Sequence, residues 1–352
     1  MRGSPGSDVG TLRVVVVGAG AFGRNHVRVY RELQQAGQSV ELVGVVDANT
    51  AVATAQSGVP GFGSVAECLA AVGRVDAASV CVPTVHHAAA AAELLAAGVD
   101  LLIEKPLAAS LADADRILAL SRQYGRIVQT GHLERFNPAV TAVRPYMNQP
   151  MFFESHRLSV FTPRSLDVDV VLDLMIHDLD IVLSFVGSPV HEVRAVGLPV
   201  LSPKVDIANV RLEFENGCIA NFTASRVSTE RVRKLRFFQP HQYLSLDFAR
   251  QDLLMIDVTA AAGLTMAQLA AMAAMAQAAG GHPTAGLSLK KLPVEPGEPL
   301  RLEIEAFLQA VRSRETPVVP GEDGRAALAL ALEINEAIAA HTKRTGLGSL
   351  TR

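Results

Sequence analysis

Short apolar runs recur along the first third of the chain, each ending at a glycine, a proline or a charged residue. Leu12–Val17 (LRVVVV) stops at Gly18, Val40–Val46 stops at Asp47, and Asp76–Val82 stops at Pro83; Asp100–Ile103 and Arg126–Thr130 follow. Runs this short, rich in β-branched residues and without polar alternation, predict strands buried on both faces of a parallel sheet. Between them the apolar spacing predicts helices over Gly23–Gln35, over His86–Gly98 with a glycine stop, and over Leu111–Tyr124. Regular alternation of strand and helix over about the first 130 residues predicts a doubly wound α/β sheet of the Rossmann type.

The pattern changes near Pro150. FFESHRLSVF, HEVRAVGLPV, KLRFFQP and YLSLDFA alternate between apolar and polar residues, as strands with one covered face do. RLEFENGCIANFTA sets Asn216-Gly217 between two alternating runs, a strong hairpin signal. These segments predict an α+β domain built on an open, mainly antiparallel sheet. Val170–Leu183 (VVLDLMIHDLDIVL) reads as a buried helix, the Ala/Met-rich run Thr259–Gly280 as a packed helix, and Gly280–Pro299 as a loop. Helices over Leu302–Arg314 and Gly324–Thr342 close the chain. The expected organisation is a tail or cloning remnant over 1–10, a dinucleotide-binding domain over 11–135, and a substrate and oligomerisation domain with C-terminal helices over 136–352.

Composition narrows the function. At 352 residues the chain is long enough for two cores. A net charge of -3 and a pI near 6.4 argue against a nucleic-acid partner. Cys68, Cys81 and Cys218 are too few and too far apart for a disulfide framework or a zinc site, so no metal is expected and a reducing compartment is. No stretch reads as a membrane span, and MRGSPGSDVG lacks the apolar core of a signal peptide. A cytoplasmic protein without a membrane partner is expected.

The candidate chemistry lies at strand ends. VVVVGAGAFGRNH places Gly18, Gly20 and Gly23 in a G-x-G-x-x-G array straight after the first strand. Such a turn, here completed by Ala21 and Phe22, brings a pyrophosphate to backbone N–H groups at a helix start. Asp47 ends the second strand, where a carboxylate accepts hydrogen bonds from ribose hydroxyls and repels a 2′-phosphate; NAD is therefore the expected cofactor. Pro83, Thr84 and His87 follow the next strand at the ligand-binding edge. Thr84 is equally suited to capping a helix, and His87 to a helix start. Glu104-Lys105-Pro106 ends an apolar strand and projects a lysine at the carboxyl edge of the sheet, or else forms a surface ion pair. Asp173 and His177, four residues apart on an apolar helix, form either a buried structural pair or a face turned to a substrate.

Taken together, GAGAFG, PTVHH, the Glu104-Lys105-Pro106 triplet, the Asp173/His177 pair and the closing TPVVPGEDGRAALALALEI resemble the Gfo/Idh/MocA oxidoreductase family over nearly the whole chain. The resemblance implies a Rossmann domain followed by an open antiparallel-sheet domain. It implies a catalytic site of Lys105, Asp173 and His177, with Glu104 and Lys105 also beside the cofactor, and leaves open whether His177 or Lys105 accepts the proton. The stretch LDVDVVL before Asp173 lacks the glycine often seen there. GHLERFNPAV and FTPRSLDVDVVLDLMIHDLDIVLSFVG look most like a subgroup that oxidises the C3 hydroxyl of UDP-N-acetylglucosamine during diamino-sugar lipid A synthesis. That likeness implies NAD as cofactor, a UDP-sugar as the small-molecule partner, and Arg135, Asn137 and Arg164 beside Asp173 and His177 as substrate ligands. Arg226, Arg231, Arg233 and Lys234 are further cations available to a diphosphate. A homo-oligomer, dimer or tetramer, is expected through the second-domain sheet. The alternatives are another sugar or cyclitol dehydrogenase and a non-catalytic dinucleotide-binding regulator with the same fold.

Overall fold

The computed structural model describes residues 10–162, 168–258, 264–278 and 288–346. They form two compact units, one of Met1–Phe136 with Glu298–Leu328 and one of Asn137–Gly297 with Ala329–Arg352.

The first unit opens with β1 (Leu12–Val17), α1 (Ala21–Gln35), β2 (Val40–Val46), α2 (Thr50–Ser57), β3 (Gly61–Phe62) and α3 (Val65–Val72). β4 (Ala77–Val80), α4 (His87–Ala96), β5 (Asp100–Glu104), α5 (Leu111–Tyr124) and β6 (Val128–Gly131) complete the alternation. The six strands pair in parallel in the order β3-β2-β1-β4-β5-β6. The direction of winding reverses between β1 and β4, so the carboxyl ends of these two strands flank the crevice where doubly wound sheets take their ligand. Local chemistry sets the helix ends. The Ser64 hydroxyl accepts from Glu67 N–H at the start of α3, and Ser110 accepts from Asp113 N–H at the start of α5. No side chain caps α1.

The second unit begins with α6 (Pro138–Val143), β7 (Phe152–Val160), α7 (Ile176–Val186), β8 (Val190–Leu198), β9 (Ile207–Phe214) and β10 (Ile219–Ser228). It continues through β11 (Val232–Gln239), β12 (Gln242–Asp247), β13 (Asp252–Asp257), α8 (Met266–Ala278) and β14 (Ser288–Leu292). The sheet order is β14-β13-β12-β11-β7-β10-β9-β8, antiparallel throughout except where β10 runs parallel to β7. β9 and β10 form the hairpin expected at Asn216-Gly217. One face is apolar and closed: Phe153, Val210, Leu212, Phe222, Leu235, Phe237 and Leu244 are buried. α7 lies on this face through Phe185, whose ring stands 6.5 Å from Phe153 and 6.2 Å from Phe237. The opposite face carries Glu154, His156, Asn209, Arg211, Lys234 and Arg236, all at least partly exposed.

Three expectations change. The Gly280–Pro299 segment contains β14 over Ser288–Leu292, which pairs with β13. α8 is no packed helix: none of its described side chains is buried, and Met275 is 74% exposed. Finally, α9 (Pro299–Ser313) belongs to the first unit and not to the second. Its Ile304, Phe307, Leu308 and Val311 share one core with Val14, Val16, Val27, Tyr30 and Leu33 of β1 and α1. α10 (Gly321–Thr345) follows it and runs from the first unit into the second. Among the described residues, no helix is long and apolar enough to cross a membrane.

Candidate active site

The glycine turn between β1 and α1 separates structural demand from ligand demand. Gly18 has φ +103°, and a methyl group there would stand 2.7 Å from the Cys81 carbonyl. A methyl group at Gly23 would stand 1.8 Å from the Gly18 carbonyl oxygen. These two glycines close the turn and let helix approach strand. At Gly20 a methyl group would meet nothing within 4 Å, so packing does not explain the absence of a side chain there. Open space over Gly20, beside the uncapped start of α1, fits close approach by a pyrophosphate. Phe22 stands half exposed on the same turn. Asp47 completes the cradle. Its Oδ2 accepts from Ala19 N–H (2.7 Å) and its Oδ1 from Asn49 N–H (2.9 Å), which braces the turn against the end of β2. The residues present fit a dinucleotide.

The next two strand ends are tied together. His87 is buried at the start of α4. Its Nε2 lies 2.9 Å from Val82 O, and its Nδ1 lies 3.1 and 3.3 Å from Pro106 O and Leu107 O. His87 therefore fastens the end of β4 to the turn after β5. Burial lowers its pKa, against the opposing pull of those carbonyls. Both ring nitrogens thus face main-chain carbonyls, and the assignment of His87 to the cofactor stands as a proposal. Pro83 and Thr84 begin a short 3₁₀ turn over Thr84–His86. Neither this turn nor α4 has a side-chain cap, so Thr84 does not play that part. Glu104, the last residue of β5, is buried and reaches His26 of α1, Nε2 to Oε1 at 2.8 Å. Lys105 follows it and is only partly buried.

His132, a lone histidine in GHLERFNP without a motif around it, lies near Lys105. It is buried, and its pKa is pushed down to about 3 by desolvation first and then by the cationic Lys105 and Arg135. The ring is therefore neutral at working pH. On unfolding it regains an ordinary pKa of about 6.5 and binds a proton in between. Stability is thus full above about pH 6.5 and falls as the pH drops toward about 3. Replacing His132 by glutamine should flatten that slope by about one proton, roughly 1.4 kcal/mol per pH unit. Urea unfolding at a series of pH values below 6.5 measures it, and an unchanged slope would remove His132 as the source.

In the second unit, the polar stripe on the apolar helix resolves into three roles. Asp169 caps the helix: its Oδ1 accepts from Val171 N–H and Leu172 N–H, both at 3.0 Å, and its Oδ2 accepts from Asn335 Nδ2. Asp178 is buried and grips Arg157 of β7 with two bonds, 2.9 and 2.7 Å, anchoring α7 to the sheet. Asp173 and His177 are only partly buried. Asp173 sits in a π-helical turn, Val171–Met175, closed by Ile176 N–H donating to Val171 O. His177 sits in the first turn of α7. Single π turns inside helices are rare and frequently fall at functional positions. The helix thus buries the carboxylate that anchors it, Asp178, and leaves Asp169, Asp173 and His177 partly exposed.

Two expected substrate ligands have structural partners. Arg135 is buried and pairs with Asp323 at 2.5 Å within the first unit. Asn137 is buried in the second unit, where it caps α6 through Ala139 N–H and donates to Phe248 O. Arg226 is buried too, donating to Val168 O and standing 3.5 Å from Asp206. Arg164 lies outside the described residues. Among the described residues no cluster of His, Cys, Asp and Glu is suited to a metal ion.

A glycine turn open at its middle glycine, an acid at the end of β2 and a lysine at the end of β5 define a dinucleotide-dependent oxidoreductase of the Rossmann type. Comparison with known proteins gives the family. Residues 12–132 match the NAD-binding Rossmann domain of the GFO/IDH/MocA oxidoreductase family, and residues 131–239 match the C-terminal domain of that family. UDP-N-acetylglucosamine 3-dehydrogenase of Acidithiobacillus ferrooxidans is 34% identical over 338 residues, 95% of this chain and 99% of the relative. A solved structure of that enzyme matches with a TM-score of 0.81 at 33% identity, covering 94% of this chain and 98% of the other. Inositol 2-dehydrogenase of Arthrobacter sp. is 27% identical over 225 residues, 60% of this chain and 66% of the relative. Levoglucosan dehydrogenase in complex with NADH shares the fold, with a TM-score of 0.78 at 16% identity, covering 94% of this chain and 97% of the other. The protein belongs to the GFO/IDH/MocA family of NAD-binding oxidoreductases.

Proposed function

We propose that the protein oxidises the C3 hydroxyl of UDP-N-acetylglucosamine to the 3-keto sugar nucleotide, using NAD, on a route to diamino-sugar lipid A. One observation carries this reading: identity of 34% to a 3-dehydrogenase of that substrate is spread over 95% of the chain, whereas the inositol 2-dehydrogenase match stops at 60%. The turn Gly18–Gly23 and Asp47 hold the dinucleotide by its pyrophosphate and ribose. NAD, when bound, accepts the hydride. The His177 imidazole takes the proton from the sugar oxygen, Asp173 orients the ring or holds a neighbouring hydroxyl, and Lys105 stabilises negative charge on that oxygen. Arg164 is the arginine we assign to the diphosphate, with Arg135 and Asn137 beside the sugar nucleotide. Three unpaired cysteines fit a reducing cytoplasm.

Absorbance of NADH with a panel of UDP-sugars and cyclitols tests the substrate. The highest kcat/KM should fall to UDP-N-acetylglucosamine. Turnover of inositol with none of UDP-sugars would replace the reading by a cyclitol dehydrogenase, and tight NAD binding without any turnover by a regulator.

Asp47→Asn gives a sharper test of the cofactor than alanine, because its carbonyl still accepts from Ala19 N–H. The Ala19 bond should hold while the negative charge and the bond from Asn49 N–H are lost. The preference for NAD over NADP should fall by about tenfold or more, the worth of a charged hydrogen bond. Titrating both cofactors by fluorescence checks this, and an unchanged preference would remove Asp47 from the ribose site.

We also assign the open sheet face to contact with a second copy of the chain. Phe152, Phe238 and Tyr243 form an aromatic patch on it, with Phe238 40% exposed and ring centroids 5.8 and 4.9 Å apart. Phe238→Glu should shift the mass by light scattering toward the monomer, and an unchanged mass would place the contact elsewhere.

A further inference from the structure

A buried chain of hydrogen bonds lies directly beneath the Lys105 turn, and the chemistry proposed above does not use it. His26 of α1 stands between two elements of the sheet: its Nδ1 is 3.0 Å from Ser79 Oγ of β4 and its Nε2 is 2.8 Å from Glu104 Oε1 of β5. Tyr30, one turn further along α1, places its hydroxyl 2.9 Å from the same Ser79 oxygen. Glu104 Oε2 in turn accepts from the backbone N–H of Lys105 at 3.3 Å. His26, Tyr30 and Ser79 are fully enclosed, and Glu104 nearly so.

Donor and acceptor chemistry sets the direction of the chain. A carboxylate only accepts, so Nε2 of His26 carries the proton that Glu104 receives. With a neutral ring, Nδ1 accepts from the Ser79 hydroxyl, and Ser79 then accepts from Tyr30. Every atom is satisfied once, which makes such a network rigid. The chain ends at Tyr30, which is shut off from solvent, so it offers a proton no exit and is unsuited to relay. Its product is position. The Glu104 carboxylate is pinned by its own buried partner, and the peptide that launches the Lys105 side chain is bonded to that carboxylate.

We infer that His26 is a positioning residue, acting through Glu104 to aim Lys105 at the reacting oxygen. The inference rests on the proposed role of Lys105. It also explains why an ionisable pair is kept in the first unit between α1 and β5, where two apolar side chains would pack at lower desolvation cost. A misplacement of about 1 Å at a reacting group is enough to cost about 10²-fold in rate.

Two isosteric substitutions separate position from packing. Glutamine places its terminal amide near Nε2 and can still donate to Glu104. Asparagine places its amide near Nδ1, so it keeps Ser79 and loses Glu104. On the full-length protein, kcat and KM for UDP-N-acetylglucosamine, the NAD dissociation constant and the melting temperature are measured for both variants. In parallel, trace acetic anhydride labelling followed by mass spectrometry reads the reactivity of Lys105 relative to the exposed Lys290, with no substrate present. His26→Gln should keep kcat within about fivefold of wild type, and His26→Asn should lose about 10²-fold. NAD affinity and the sugar KM should stay within about threefold in both. Lys105 labelling should rise at least about threefold in His26→Asn, as its anchor loosens, and stay near wild type in His26→Gln. A purely structural histidine predicts that the two variants behave alike in both rate and labelling, and that result would overturn the inference. So would a loss of NAD affinity matching the loss of rate, because the disturbed element would then be α1. If the labelling difference holds but wild-type protein oxidises no UDP-sugar, the positioning role stands and the substrate assignment falls. Should His26→Asn fail to fold, Ser79→Ala with His26→Gln and Glu104→Ala carry the comparison: the serine change should leave labelling near wild type, the glutamate change should raise it, and equal labelling in both would again overturn the inference.

Discussion

Replacing His177 by alanine is expected to lower kcat by about 10²–10⁴-fold, the usual cost of losing a general base. NAD affinity should hardly move, because the glycine turn and Asp47 belong to the first unit and His177 to the second. Lys105→Met should lower kcat strongly as well, through loss of positive charge at the reacting oxygen. The double variant should be far less than multiplicatively worse, because both residues are proposed to act on one oxygen. In the wild type, kcat should rise with pH through the imidazole range, and this limb should vanish in His177→Ala. His132 cannot supply the limb, since its pKa of about 3 lies far below it. Melting temperature and single-turnover rate on the same preparation separate catalysis from packing. A stable and fully active His177→Ala protein would end the assignment.

The second large effect is on stability and falls on the neighbouring residue. Asp178→Ala should cost about 3–5 kcal/mol, because it removes the two-bond carboxylate partner of the buried Arg157 guanidinium. The Phe248 ring, 5.3 Å from that guanidinium, cannot replace a carboxylate. The double substitution Arg157→Met with Asp178→Leu should recover most of the loss, since well-packed apolar residues often do as well as a buried ion pair. Chemical denaturation followed by circular dichroism measures both. Equal destabilisation by the single and the double variants would mean that the site needs these side chains for shape, not for charge. The contrast with His177 is the useful part: two adjacent residues on α7, one costing rate and the other costing stability.

The first unit was readable from the chain because its signals are local. Gly18 and Gly23 are dictated by the turn they form, and the strands around them stop at Asp47, Pro83 and Lys105 within a residue or a few of their observed ends. The Asp173/His177 spacing is likewise a property of one helix. What stayed hidden depends on distance in sequence. Glu104 meets His26 across 78 positions and Asp178 meets Arg157 across 21, and no periodicity reports such partners. Arg135 and Asn137 carry the residue types of a phosphate and sugar site, yet burial turned both inward, and burial is settled by the packing of remote segments. α9 shows the same limit. Its apolar stripe predicts a helix with one covered face, but the stripe would look no different against either sheet, and only packing assigns Phe307 to the core around Val14 and Tyr30. The π turn at Val171–Met175 has no sequence signature that spacing could supply.

Removal of hydride from C3 of UDP-N-acetylglucosamine is the proposed reaction. The direct measurement is to supply the sugar nucleotide deuterated at C3 together with NAD and analyse the recovered NADH by mass spectrometry. Deuterium is expected in the NADH, with a slower rate than with the unlabelled sugar where hydride transfer limits turnover, and a 3-keto sugar nucleotide as the partner product. NADH that forms without deuterium, or no NADH at all from a folded protein that binds NAD, would contradict it.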